Sequence, residues 1–276
     1  MAKTQTDIIS ELEVKQDVDP AQEIHNRKEF MKNYLEKTKT KGFVLGISGG
    51  QDSTLLGKLA QDAIHELNQV SAMQRTFIAV RLPYGEQVDE DDAQEALRFI
   101  KPDKTITVNI KKAVDSAEEA FQEAIGHEMS DFNKGNTKAR ERMKVQYDLA
   151  AEYGALVLGT DHAAEAISGF FTKFGDGACD IAPLFGLNKR QGKALLRVLD
   201  APAFIYEKVP TADLESDKPA LADEKALGMT YEQIDDFLEG KEVPASIHSK
   251  IIERYEMTEH KRQLPVTPQE EWWTEL

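Results

Sequence analysis

The segment Gly46-Ile47-Ser48-Gly49-Gly50-Gln51-Asp52-Ser53 constrains this chain more than any other stretch. It follows the apolar run Phe43-Val44-Leu45 and precedes a helix-like stretch from Thr54 to Leu67. The order is strand, glycine turn, helix N-terminus. Such a turn presents several backbone N–H groups, and the helix dipole favours an anion there. Ser48 and Ser53 add hydroxyl donors, whereas the Asp52 carboxylate would repel a bare phosphate. A carboxylate beside a phosphate cradle suggests a bridging Mg²⁺. The plainer alternative is an ordinary glycine-rich turn.

The pattern around that segment sets the fold class. Ile24, Phe30, Met31, Tyr34 and Leu35 give Ala21 to Lys37 a helical spacing. Strands are expected at Thr76 to Leu82, Thr105 to Ile110 and Ala155 to Thr160. Helices are expected at Asp89 to Ile100, Asp115 to Ile125 and, after a polar, turn-rich stretch from Ser130 to Lys138, from about Ala139 to Tyr153. Strands alternating with helices imply βαβ units, hence an α/β fold: a single doubly wound domain with a mainly parallel sheet and flanking helices. Sites in such sheets lie at the carboxyl ends of the strands, where the loops starting at Ser48, Pro83 and Gly159 would open.

Beyond Thr160 the pattern weakens. Phe170 to Ala182 reads as a loop, Lys189 to Leu199 as a basic amphipathic helix, and Tyr231 to Glu239 and Ser246 to Glu259 as helices. Val209 to Asp223 has two prolines and four acids and reads as mobile. Residues 1–20 form an N-terminal extension, and residues 21–276 read as one domain.

Composition narrows the partners. A net charge of −15 argues against a nucleic-acid footprint. The single cysteine, Cys179, excludes an intrachain disulfide and a cysteine metal cluster, which fits a reducing cytosol. There is no signal-peptide pattern, and runs such as Ala155 to Leu158 are far too short to cross a bilayer. A cytoplasmic location without membrane contact is expected.

Two later stretches add chemistry. Gly159-Thr160-Asp161-His162-Ala163-Ala164-Glu165 follows the fourth strand. Mg²⁺ takes one or two carboxylates plus phosphate oxygens and water, and Asp52 with Glu165 meets that need. The alternative is a helix cap at Thr160 or Asp161 with an acidic first turn. Lys189 and Arg190 open a helix where positive charge opposes the dipole, and a phosphate would offset that cost. A solvated basic face is the alternative.

Ser-Gly-Gly-x-Asp-Ser resembles the pyrophosphate-binding loop of the ATP pyrophosphatases. The chain as a whole resembles the ammonia-dependent NAD synthetases from about Ala21 to Trp273. The residues that carry the likeness are Phe-Ile-Ala-Val-Arg-Leu-Pro at 77–83, Asp-Phe-Asn-Lys-Gly-Asn-x-Lys-Ala-Arg at 131–140 and Gly-Thr-Asp-His-Ala-Ala-Glu at 159–165. Gly-Phe-Phe-Thr-Lys-Phe-Gly-Asp-Gly at 169–177, Pro-Thr-Ala-Asp-Leu at 210–214 and Met-Thr-Glu-His-Lys-Arg at 257–262 continue it.

The resemblance implies an adenine nucleotide alpha hydrolase-like fold and a two-step ligase reaction. The nicotinate carboxylate of deamido-NAD would attack ATP, and ammonia would then displace AMP to give NAD. Residues Gly46, Ile47, Ser48, Gly49, Gly50, Gln51, Asp52 and Ser53, with Thr160, Lys189 and Thr211, match ATP contacts. Asp52 and Glu165 match Mg²⁺ ligands, and Arg140, Lys173, Asp180, His260 and Lys261 match deamido-NAD contacts. Lys189 and Asp176 are the catalytic candidates, Asp176 to orient ammonia or accept its proton; the plain reading of Gly-Asp-Gly is a turn.

The resemblance also implies a homodimer with the dinucleotide at the subunit interface, lined by Phe30, Met31 and Tyr34, although a core face suits each of the three. It implies an ATP-covering loop at Val209 to Asp223, and 276 residues leave no room for a glutamine-hydrolysing domain, so free ammonia is the expected nitrogen source. The competing readings are another ATP pyrophosphatase, such as the synthetase half of a GMP synthetase or a tRNA-modifying ligase, and a non-catalytic nucleotide sensor.

Overall fold

The structure, a computed structural model, describes residues 3–86, 90–208, 211–212, 221–270 and 272–275. In chain order, α1 (Gln5–Glu11) and α2 (Pro20–Thr38) precede β1 (Gly42–Gly46), α3 (Gln51–Val70), β2 (Thr76–Arg81) and α4 (Glu90–Ile100). β3 (Lys104–Thr107), α5 (Lys111–Ile125), α6 (Asp131–Tyr153) and β4 (Leu156–Val157) follow. Then come α7 (Ala163–Ser168), α8 (Lys189–Val198), α9 (Ala203–Glu207), β5 (Thr211–Ala212) and β6 (Leu221–Ala222). After these come α10 (Asp223–Leu227), α11 (Tyr231–Leu238), α12 (Ala245–Met257), α13 (Glu259–Arg262) and a 3-10 turn at Trp272–Glu275.

The main sheet runs β3-β2-β1-β4, with every pairing parallel. Its order reverses beside β1: the chain steps outward through β2 and β3, then returns to the far side of β1 for β4. Residues that alternate along a strand face opposite ways. Phe43, Leu45, Phe77 and Ala79 therefore pack on α2, α3, α4 and α8, while Val44, Ile78 and Val80 pack on α5 and α6. Burying a large apolar side chain of this kind contributes about 1.5–3 kcal/mol. A further cluster unites Ile8 and Leu12 with Ile167 of α7, Phe237 of α11 and Tyr255 of α12. The α/β, doubly wound, parallel architecture expected from the sequence is the one observed.

Several boundaries differ from the expected ones. Residues 131–138 are helical rather than turn-rich, because the Ser130 hydroxyl accepts the Asn133 N–H at 3.3 Å and starts α6 there. The helix also opens on Asp131, which suits its dipole. The third strand ends at Thr107, and Ile110 turns into the core as the residue before α5. The fourth is only Leu156–Val157 with a bridge from Leu158 to Ile181. Of the stretch Val209 to Asp223, most lies outside the described residues; Thr211–Ala212 pairs antiparallel with Leu221–Ala222. On α2, Met31 is fully buried, while Phe30 and Tyr34 are exposed. No described helix is long and apolar enough to cross a membrane.

Candidate active site

The loop after β1 and the loop after β4 flank the point where the strand order reverses, which is where open α/β sheets bind ligands. The first loop is held from both sides. The Gly46 N–H donates to Gln146 Oε1 of α6 at 2.7 Å, and the Ile47 N–H to Val80 O at 2.8 Å. Gly49 has φ +87°, and a Cβ there would lie 2.7 Å from the Ala93 nitrogen. Only glycine lets α4 press this closely on the turn. Gly50 begins α3 without a capping side chain, so no cap consumes the first amides of that helix. The Ser48 and Ser53 hydroxyls meet at 3.1 Å across the turn.

Asp52 stands in the first turn of α3 and meets two side chains from elsewhere in the chain. Its Oδ2 lies 2.6 Å from Lys189 Nζ of α8, and its Oδ1 lies 3.5 Å from His162 Nε2. Glu165 Oε1, in the first turn of α7, is 3.5 Å from the same His162 nitrogen and 3.8 Å from Lys189 Nζ. Burial alone would raise the Asp52 carboxyl, but Lys189 and His162 beside it hold it well below the usual carboxylate range. Burial and Lys189 would lower His162; Glu165 and Asp52 outweigh them and push it up to about 9. Asp161, buried next to Glu165 and Asp176, is pushed up to about 8.

One donor atom each from Asp52, His162 and Glu165 lies within 4.8 Å of the others, a spacing that suits a single ion. Both His162 ring nitrogens are buried and outside hydrogen-bond geometry. The two carboxylates are hard oxygen donors of the kind Mg²⁺ takes. The donor set fits a divalent cation, and Lys189 adds a positive charge beside it. Neither Thr160 nor Asp161 caps α7, since its N-cap is His162, without a side-chain bond.

The start of α8 corrects one expectation. No phosphate is needed to offset its basic residues, because the Asp235 carboxylate of α11 accepts the Lys189 N–H at 3.1 Å and the Arg190 N–H at 2.8 Å. Asn188 and Gln191 complete a capping box. Arg190 turns away to Glu239 and Asp236, and the buried Lys189 side chain is left to reach Asp52. Gln51 Nε2 donates to Lys189 O at 3.1 Å and ties α3 to α8. Lys189 Nζ also lies 4.9 Å from the centre of the Tyr231 ring.

Most of the expected dinucleotide contacts form a second group. Arg140 Nη2 is 3.5 Å from Lys173 O, and Lys173 Nζ donates to His260 O. Lys261 Nζ donates to Gly169 O and Phe171 O, both at 2.8 Å. Asp176 lies between the groups: its Oδ1 accepts the Thr172 N–H at 3.0 Å, and its charge is felt by both Asp161 and Lys261. Asp180 is engaged elsewhere, its Oδ2 accepting the Val157 N–H of β4 at 2.7 Å. Thr160 lies in the loop between β4 and α7, and Thr211 lies in β5, paired with Ala222.

Sequence reasoning missed His162 and Asp235. His162 sits inside the quoted Gly-Thr-Asp-His-Ala-Ala-Glu stretch, three residues before Glu165, so a ligand pair at that helical spacing was there to be found. Asp235 carries no such signal, being one acid among several on a distant helix.

The family described as NAD synthase matches residues 23–265. The chain is 65% identical over 270 residues to the NH(3)-dependent NAD(+) synthetase of Halalkalibacterium halodurans, covering 98% of this chain and 99% of that one. Among solved structures, it resembles NAD+ synthetase from Burkholderia pseudomallei, with 44% identity, a TM-score of 0.81 and coverage of 95% and 96% of the two chains. It also resembles NMN synthetase from Francisella tularensis, with 34% identity, a TM-score of 0.79 and coverage of 92% and 100%. Match and likeness span nearly the whole chain, and the chain belongs to the NAD synthase family.

Proposed function

We propose that this chain is an ammonia-dependent NAD synthetase that uses ATP to activate the nicotinate carboxylate of deamido-NAD. The observation that carries the reading is the meeting of Asp52, Glu165 and Lys189 at the end of the glycine turn, within a chain of this family.

The reaction follows from what each residue can do. The turn at 46–53 takes the ATP phosphates on backbone amides and on Ser48 and Ser53, and Thr160 and Thr211 are further ATP contacts. Asp52 and Glu165 hold Mg²⁺, which supplies positive charge to the phosphate oxygens when bound. Lys189 adds a second cation there. The nicotinate carboxylate oxygen bonds to the α-phosphorus while the α–β phosphoanhydride bond breaks, releasing pyrophosphate and leaving an acyl adenylate. Ammonia then attacks the acyl carbon, a C–N bond forms, the C–O bond to AMP breaks, and Asp176 accepts a proton from the nitrogen. Positioning and charge neutralisation carry most of such a reaction. Arg140, Lys173 and Lys261 supply cations for the dinucleotide pyrophosphate. His260, whose imidazole is kept below its ordinary pKa by burial and by the neighbouring Lys173, Lys261 and Arg262, joins them with Asp180 as a polar contact.

The same reading carries a homodimer, a cytoplasmic location, no nucleic-acid or membrane partner, and a single functional unit over residues 21–276. The exposed Phe30 and Tyr34 support the dimer, and the net charge of −15 speaks against nucleic acid.

The test is pyrophosphate release from Mg-ATP with and without deamido-NAD, followed by addition of ammonium. Release that needs deamido-NAD, with NAD formed only after ammonium, is the expected result. Binding of ATP without release would favour a sensor. Release with nicotinate mononucleotide but not deamido-NAD would move the substrate towards that of the Francisella relative, which is named NMN synthetase.

A further inference from the structure

Helix α7 carries Glu165 yet has only six residues, too few to hold itself together. Its last carbonyls need partners. Two of them, and two carbonyls just beyond the helix, meet three cationic side chains from one place. Arg262 Nη1 donates to Ala166 O at 3.1 Å, Arg254 Nε to Ser168 O at 3.3 Å, and Lys261 Nζ to Gly169 O and Phe171 O at 2.8 Å. All three donors lie on α12 and α13, and cations at a helix C-terminus are favoured by its dipole. Lys173 answers in the opposite direction by donating to His260 O.

Arg262 is the most constrained of the three. Its side chain is 11% exposed and pairs with Glu259 at 2.8 Å. It also donates to Thr258 Oγ1 at 3.0 Å and to Tyr255 O, and its guanidinium carbon lies 3.6 Å from the centre of the Tyr255 ring. The N-terminal segment braces the same spot: Tyr255 donates to Glu11 at 2.8 Å, and the Lys3 N–H to Glu256 at 2.9 Å. One planar fork thus binds the backbone beside Glu165 and the helix turn that bears His260 and Lys261.

We infer that Arg262 is a positioning residue that sets the Glu165 side of the site and the His260–Lys261 side relative to each other through its bond to Ala166 O. The inference rests on the function proposed above. It needs no contact between Arg262 and any substrate. A lysine keeps the charge but not the fork, so it should replace only part of the role.

The experiment compares the wild-type chain with R262Q and R262K. Mn²⁺ binding is followed by electron paramagnetic resonance, deamido-NAD binding by calorimetry, and folding by thermal melting. R262Q is expected to weaken both Mn²⁺ and deamido-NAD binding by about tenfold, with partial recovery in R262K. If either dissociation constant in R262Q stays within about twofold of wild type, the inference is overturned. A lower melting temperature with unchanged binding by the folded fraction would assign Arg262 a merely structural role and also overturn it. A wild-type chain that releases no pyrophosphate with deamido-NAD would defeat the functional reading by itself, and the Mn²⁺ comparison would then decide the positioning role.

Discussion

The two halves of the candidate site are built in opposite ways. On the proposed phosphate side, Asp52, His162, Glu165 and Lys189 grow from strand ends and helix starts, and their charges face one another inside the fold. On the proposed dinucleotide side, Arg140, Lys173, His260 and Lys261 stand near the surface and are joined through backbone carbonyls rather than through one another's charges. The first half is preorganised by the sheet and suits transition-state charge, which rewards fixed dipoles. The second half is held by side-chain-to-backbone bonds, which suits a surface that receives a large substrate. Asp176 and the short helix α7 connect them.

Substitutions should separate the halves. Asp52→Asn removes the carboxylate that faces both cations, and pyrophosphate release should fall by about a hundredfold or more. Wild-type release in that variant would show that the phosphate side does not depend on its buried charges. Arg140→Met should raise KM for deamido-NAD by about tenfold and leave KM for ATP nearly unchanged. Equal effects on both substrates would erase the division into halves.

Gly49→Ala tests the preorganisation without touching charge. The added Cβ would meet the Ala93 backbone at a residue with φ +87°, and a cost of about 1–3 kcal/mol in thermal or denaturant unfolding is expected. An unchanged midpoint would mean that the turn can relax without loss. The smallest effect concerns Cys179, whose side chain packs against Gly159. Burial first, then Asp161 and Asp180, push its thiol up from 9.0 to about 12. The folded state keeps the proton, so this contribution to stability is whole below pH 9 and fades as pH rises towards 12. At pH 8 its thiolate is scarcer by roughly a thousandfold than that of a free cysteine, so alkylation should be slow until the chain is unfolded. Rapid alkylation of the folded chain would contradict that environment.

How much of this was legible depends on whether the signal was local. Phe43 to Ser53 carried its own strand, turn and helix start, and the period of the apolar residues gave the parallel sheet. Asp131 to Lys138 was misread because polar residues and Gly135 hide a helix that Ser130 caps. Asp235 answers the α8 dipole from a distant helix, a solution that no window around Lys189 can reveal. The proposed dinucleotide contacts rest on family likeness alone, because a lone arginine or lysine on a polar stretch has no spacing that marks it. Arg262 ends the Met-Thr-Glu-His-Lys-Arg stretch, but its bond to Ala166 O is visible only in three dimensions.

The most direct test of the adenylation chemistry uses deamido-NAD labelled with ¹⁸O in its nicotinate carboxylate, turned over with Mg-ATP and ammonium. Attack of that carboxylate on the α-phosphate leaves one labelled oxygen in the AMP released, and mass spectrometry of AMP should find it. AMP free of label alongside newly formed NAD would contradict the account, because the carboxylate would then have been activated by some other route.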